Sequence, residues 1–322
     1  MADRKSGVLL VGEPMALFMA QEEGEISDAK TFAMAVAGAE LNVAIAMSRL
    51  GHRVSYLTKL GCDPFGKVIV RLMNESGIST EFTHFTSKRQ TGIMFKSLTP
   101  GGDSSIYYMR KGSAASTLSP NDVCNLDVGG YAVLHMTGIM PALSKTSRAA
   151  CTTLYEHARE SGLLFSFDPN LRPQLWESRQ AMVSFMNETA PKADLFLPGI
   201  AEARLLMGKD DATPAEAAAH YRAMGAKVVI VKCGAQGAYY DDGNHRGWGD
   251  RYVVPKVVDT VGAGDGFAAG ILSAYIEGLS LHDAVSRGNA IGSLQIQVRG
   301  DNEGMPTRER LKEYQSTQRK KA

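Results

Sequence analysis

Short apolar runs alternate with amphipathic stretches along most of the chain. The opening run "GVLLVGE" is followed by the helical pattern "AELNVAIAMSRLG", the strand "RVSYLTKLG" and the helix "PFGKVIVRLMNESG". Further on come the strand "YAVLHMTG", the helix "SKTSRAACTTLYEHARESG" and the strand "LLFSFDPN", then "ADLFLPG", "AEARLLMG", "PAEAAAHYRAMG" and "KVVIVKCG". Strands that are near-continuous runs of Val, Ile and Leu, separated by helices, predict a mostly parallel sheet covered on both faces. Ligands of such sheets bind beyond the carboxyl ends of the strands.

Two segments break this rhythm. Residues 14–36 and 89–112 show strand alternation and turn residues instead of helical periodicity, and Thr91–Leu98 with Ser105–Lys111 is predicted as a hairpin around "TPGGD". Such insertions serve either as edge decoration or as a small sheet closing over a site. Both leave the same end of the predicted sheet, which favours a lid. The expected organisation is therefore an α/β core of residues 1–13, 37–88 and 113–322, with 14–36 and 89–112 forming a discontinuous β lid.

Composition narrows the function classes. A chain of 322 residues with 44% hydrophobic and 21% charged positions has ample length for a buried core and an ordinary soluble balance. The net charge of +1 gives no field to recruit nucleic acid or an anionic membrane, and the basic "QRKKA" reads as a solvated tail. The first apolar run is too short for a signal-peptide core, and no apolar stretch approaches the ~18 residues of a membrane span. Cys62, Cys124, Cys151 and Cys233 stand apart with no CxxC pair, which points to reduced thiols in a cytoplasmic protein rather than a zinc site. The histidines show no metal-binding spacing, and His135 reads as a strand-end residue.

The densest chemistry lies in "DTVGAGDGFAAGIL", Asp259 to Leu272. A helix is predicted to start just after Gly264, so its free N–H groups point back over the glycine turn. Without a Cβ on Gly262 and Gly264 an anion can approach the backbone, and the helix dipole favours it. Spacing alone leaves two readings of Asp265: a residue that caps the turn, or a carboxylate that takes a hydroxyl proton beside an anion hole.

"DTVGAGDGFAAGIL" resembles the C-terminal signature of the ribokinase-like (PfkB) carbohydrate kinases, and "AGAELNVAIAMSRLGHRVSYLTKLG", Ala37 to Gly61, resembles their N-terminal one. The resemblance runs from "GEP" to "PTRERL". It implies a three-layer α/β/α sandwich with a small β-sheet lid, ATP as phosphoryl donor and Mg²⁺. Asp265 is then the base, with the amides of Gly262, Ala263, Gly264 and Asp265 as the anion hole. Lys232, Gly234 and Gly237 in "VKCGAQGAYY" match the loop bordering the nucleotide, together with Gly262 and Gly264, and Asn289 falls in the helix flanking the adenine. Taken alone, Lys232 also fits a solvated strand end. Where many members carry an NxxE motif linked to Mg²⁺, this chain has "PGIAE"; Glu202 remains, and its expected action on the metal is through water. No GxxxxGK[ST] or Rossmann GxGxxG is present.

The acceptor residues are the variable part. Gly38 and Asn42 lie at a helix start, Tyr108 and Arg110 in "SIYYMRKGSAAS", and Asn170 and Arg172 in "FDPNLRPQLW". Asn42 also fits a plain first-turn residue, and either arginine alone a solvated surface; two arginines at ligand-end positions suit a carboxylate. The stretches "GEPMALF", "AGAELNVA", "YYMRKGSAAS", "HMTGIMPALS" and "FDPNLRP" resemble 2-keto-3-deoxygluconate kinases more than fructokinases or ribokinases. Tyr108, Arg110 and Arg172 then face the acid end, while a tyrosine expected in a TGxY pattern is Met94 here. A neutral-sugar kinase, a 2-ketogluconate kinase and a non-catalytic binding protein on the same fold are the alternatives. The resemblance also implies a homo-oligomer paired through the lid.

Overall fold

The structure is a computed structural model that describes residues 6–99 and 105–319. In chain order its first half comprises β1 (Val8–Val11), β2 (Met15–Glu23), β3 (Phe32–Ala37), α1 (Ala39–Arg49), β4 (Val54–Gly61), α2 (Pro64–Glu75), β5 (Thr83–Thr86), β6 (Ile93–Leu98), β7 (Ile106–Met109) and the short α3 (Pro120–Val123). The second half comprises β8 (Val133–Thr137), α4 (Lys145–Glu160), β9 (Leu164–Asp168), α5 (Arg179–Thr189), β10 (Leu195–Phe196), α6 (Ile200–Met207), α7 (Pro214–Met224) and β11 (Val228–Lys232). It closes with β12 (Ala238–Asp241), β13 (Arg246–Trp248), α8 (Ala263–Glu277), α9 (Leu281–Gln295) and α10 (Arg308–Arg319).

One sheet has the order β13-β12-β11-β10-β9-β8-β1-β4-β5. It is parallel from β5 through β11 and antiparallel only across β12 and β13. The period of two along each strand divides the core between two faces. Val8, Leu10 and Tyr56 pack under α1, α8 and α9. Leu9, Val11, Leu134 and Phe167 pack under α4 to α7. This is the ribokinase-like three-layer α/β fold that the resemblance implied. Helices α5 and α9 and the edge pair β12–β13 were not among the elements read from the apolar pattern.

A second sheet has the order β3-β2-β6-β7. Its β6–β7 pair is antiparallel, with Ile93 opposite Met109 and Phe95 opposite Tyr107. The turn predicted between them falls on residues 100–104, outside those described. The register sorts this sheet into two apolar faces. Met15, Leu17, Ala37 and Met94 form one cluster, with Tyr108 packed against it. Phe18, Phe95 and Tyr107 lie on the opposite face, where Phe18 and Phe95 stack with centroids 5.2 Å apart.

Candidate active site

The neighbours of β1 are β4 on one side and β8 on the other, so the strand order reverses there and a crevice opens at the carboxyl ends. Above it is a cavity of about 330 Å³ whose wall includes all eight predicted acceptor residues: Gly38, Asn42, Met94, Tyr108, Arg110, Asn170, Arg172 and Asp265. Met94 and Tyr108 come from the inner face of the small sheet, which thus forms part of the cavity wall.

Asp265 lies in the first turn of α8. The helix starts at Ala263, two residues earlier than the apolar pattern suggested, because Gly262 enters it in the left-handed region at φ 77°. A Cβ at Gly262 would also collide with the carbonyl of Asp301. The shift places Gly264 and Asp265 themselves in the first turn, where backbone N–H groups have no intrahelical partner. Asn42, in the first turn of α1, donates its Nδ2 to Asp265 Oδ2 at 2.8 Å, and Asn302 donates to Asn42 Oδ1 at 3.2 Å. Burial pushes the Asp265 carboxyl up to about 7. Asp168 and Glu40 add to that rise, while the Asn42 bond and the Lys232 charge oppose it.

Lys232 is not a solvated strand end. It sits at the end of β11, lines both this cavity and its neighbour, and pairs with Asp168 at the end of β9. Just beyond Asp168, Asn170 holds φ 39°, the one positive φ outside glycine among the described residues, and donates its N–H to Asp168 Oδ1. Strain at a cavity wall of this kind is kept only where surrounding bonds over-determine it.

The two arginines differ. Arg110 is 6% exposed, and its Nε donates to Glu13 Oε2 at 2.6 Å. Ser113 donates to the other oxygen of Glu13. Arg172 donates only to the carbonyls of Leu171 at 2.9 Å and Asn170 at 3.5 Å, and no carboxylate pairs with it among the described residues. Glu40, buried in α1, is pushed up to about 7 by burial, and it accepts a hydrogen bond from Thr137 at the end of β8.

Asp168, Glu13 and Glu40 escaped the sequence reading. Asp168 had a usable signal, an acid at the carboxyl end of a strand in "FSFDPN". Glu13 and Glu40 had none, since an acid near a strand end or helix start is ordinary without its partner in view.

A neighbouring cavity of about 590 Å³ is lined by Lys232, Gly234, Gly237, Ala263, Gly264 and Asn289. Gly262 is not in its wall and faces the acceptor side instead. Asn289 donates Nδ2 to the carbonyl of Asp250 at 2.8 Å, and a Cβ at Gly237 would stand 3.0 Å from that same nitrogen. The size and the bare glycine backbone fit a nucleotide. For a metal, Glu202 is the candidate on the cavity wall. Its two oxygens already accept from the amides of Leu171 and Gly199, each at 2.7 Å. Each keeps a lone pair, and among the described residues no three His, Cys, Asp or Glu gather into a cage. Such a donor set fits a water-rich Mg²⁺ held mainly by phosphates, not a dedicated protein site.

This geometry agrees with what the chain resembles. The description of the pfkB family carbohydrate kinases matches residues 5–308. The chain belongs to that family. As a pfkB carbohydrate kinase it is a phosphotransferase with an alcohol group as acceptor. It is 42% identical over 320 residues to a 2-dehydro-3-deoxygluconokinase of Bacillus subtilis, covering 98% of this chain and 97% of that protein. The crystal structure of a PfkB protein from Polaromonas sp. JS666 superposes with a TM-score of 0.87 at 38% identity, covering 95% of this chain and 99% of that one. A structure described as a putative ribokinase II of E. coli in complex with ATP and Mg²⁺ gives 0.87 at 26% identity, covering 97% and 99%.

The Gly262 turn yields a direct test. In Gly262→Ala the left-handed conformation alone costs roughly 1–2 kcal/mol, and the collision with the Asp301 carbonyl adds to it. Thermal unfolding should show a lower Tm, and turnover should fall with it. An unchanged Tm and an unchanged kcat together contradict the close packing of this turn.

Proposed function

We propose that the protein transfers the γ-phosphoryl group of ATP to the terminal hydroxyl of 2-keto-3-deoxygluconate, giving 2-keto-3-deoxy-6-phosphogluconate. Asp265 is the general base. Its carboxylate takes the hydroxyl proton as the new P–O bond forms and the bond to ADP breaks. The amides of Gly262, Ala263, Gly264 and Asp265 stabilise charge on the phosphoryl oxygens. A carboxyl titrating near neutrality suits this work, because its base form is present at working pH yet basic enough to accept the proton. Asn42 orients the carboxylate. Lys232, Gly234, Gly237, Gly264 and Asn289 border the nucleotide. Glu202 would hold Mg²⁺ through water, and the ion would supply positive charge to the phosphates.

The observation that carries the acid assignment is Arg172, a guanidinium on the acceptor cavity that no carboxylate among the described residues pairs with. An acid in that cavity meets an unneutralised fork, which matches carboxylate geometry. Gly38, Met94, Tyr108, Asn170 and Arg110 complete the wall. The acid substrate of the 42% identical relative supports the same reading. One observation favours a neutral sugar instead: Arg110 is already neutralised by Glu13.

The small sheet, residues 14–36 and 89–112, is the lid in this reading, and its outer face pairs two copies of the chain. Tyr107 (60% exposed), Met109 and Met34 provide the apolar surface for that pairing. Four free cysteines fit a cytoplasmic setting.

Two measurements test this function. Asp265→Asn should lower kcat on the order of 10²–10⁴-fold, with the KM for ATP little changed. Wild-type kcat should rise with pH through about 7, as the Asp265 carboxyl loses its proton. Asn42→Ala removes a bond that favours the ionised form, so the rise should move to higher pH. A flat profile, or near-normal turnover by the Asn variant, contradicts the base assignment.

For the acceptor, a charge-assisted hydrogen bond contributes roughly 1.5–3 kcal/mol. Arg172→Met should therefore raise KM for the keto acid about 10- to 150-fold and leave KM for ATP unchanged. A neutral sugar should lose far less. Equal losses on both, or a wild type that prefers fructose or ribose, would transfer the assignment to a neutral-sugar kinase.

A further inference from the structure

Outside the hinge pair Arg110–Glu13, one ion pair joins the small sheet to the loop that leads into α8. Lys96 lies on β6, on the same face as Met94 and therefore toward the core. Its Nζ stands 3.3 Å from Asp259 Oδ2, and the two side chains are only 12% and 16% exposed. Asp259 begins the turn that ends in Gly262. Its Oδ1 accepts from the Val261 amide at 3.1 Å, and its Oδ2 faces the Gly300 amide at 3.5 Å. Gln295 ties the same two segments together by donating to the carbonyls of Val261 and Gly300, at 3.1 and 2.7 Å. The next carboxyl, Asp301, is 8% exposed, and its carbonyl is the atom that packs against Gly262.

The charges here do not balance without the lysine. Asp259 and Asp301 repel each other, and the Lys96 charge favours the ionised form of both. Glu303, the other charged group acting on Asp301, has the same sign as the two acids. Moving β6 away would leave the largely buried Asp259 without its charge partner behind the turn that aims the anion-hole amides. Leaving a buried charge uncompensated is strongly destabilising, enough to shift a turn held by a few backbone bonds.

We propose that Lys96 is a positioning residue for phosphoryl transfer: by seating its ammonium beside Asp259, the small sheet fixes the turn that carries Gly262, Gly264 and Asp265. The sheet then does more than exclude water from the acceptor. Its position is transmitted by one charge to the backbone that receives the transferred group. This rests on phosphoryl transfer at Asp265 and is independent of which acceptor is used.

The test uses the full-length enzyme with whichever acceptor the wild type turns over fastest. A misplacement of about 1 Å in catalytic geometry costs on the order of 10²-fold in rate. Lys96→Met should therefore lower kcat about 10- to 100-fold, with a smaller change in KM for the acceptor. Potassium or ammonium chloride, compared with choline chloride at equal ionic strength, should restore part of that kcat, since a small cation can take the place of the ammonium beside Asp259. The wild type should gain nothing, and Lys96→Arg should retain most turnover. Asp259→Asn keeps an acceptor for Val261 and removes the charge partner, so the double variant should be no worse than the poorer single one. A normal kcat in Lys96→Met overturns the inference. So does a loss that small cations leave untouched and that adds fully to the loss in Asp259→Asn. A wild type inactive on every keto acid would contradict the substrate assignment and leave this test standing on another acceptor.

Discussion

The site is organised around a carboxylate whose charge the surrounding protein opposes. Asp265 lies in the first turn of α8, half-buried in the cavity wall and within the influence of two other acids, Asp168 and Glu40. Two contributions oppose that rise, the hydrogen bond from the Asn42 amide and the charge of the Lys232 ammonium. Each comes from a different part of the chain. Asn42 arrives with α1 after the β1 crossover, Lys232 at the end of β11, and the turn itself through the left-handed Gly262. The reversal of strand order between β1 and β8 is what lets these elements meet over one crevice.

The same balance of charge separates the two arginines. Glu13 leaves β1 just before the first strand of the small sheet, and Arg110 and Ser113 follow the last one. All three meet in one buried cluster where the small sheet joins the large one. An ion pair buried this deeply fixes geometry more surely than it adds stability, so Arg110 acts as structure as well as cavity wall. Arg172 stands on the loop after β9, on the cavity wall, and among the described residues its partners are carbonyls alone. The proposed acid recognition rests on that difference between the two arginines.

The local parts of this picture were legible in the sequence. Apolar runs gave the parallel layers, the glycine turn stood out by its spacing, and the residues named for the acceptor from short stretches all line one cavity. What was not legible is long-range pairing. Asn42 and Asp265 are 223 residues apart, Lys96 and Asp259 163, and Arg110 and Glu13 97. No periodicity encodes which acid an amide or lysine will meet. The start of α8 was misplaced for a related reason. Glycine was read as a boundary, whereas Gly262 serves as the cap because its left-handed φ lets the helix begin at the next residue. The fork of Arg110 was expected to face the substrate acid, and only the packed hinge reveals that Glu13 already holds it.

The central claim is that burial holds the Asp265 carboxyl near neutrality. Carbon-13 carboxyl NMR of the aspartate-labelled protein, with Asp265→Asn to assign the resonance, measures it without reference to turnover. The account predicts an aspartate that titrates at about 7 and disappears from the spectrum of the variant. An Asp265 resonance titrating in the ordinary aspartate range near 4 would contradict it, because the group would then be a solvated cap on a helix and not a desolvated base.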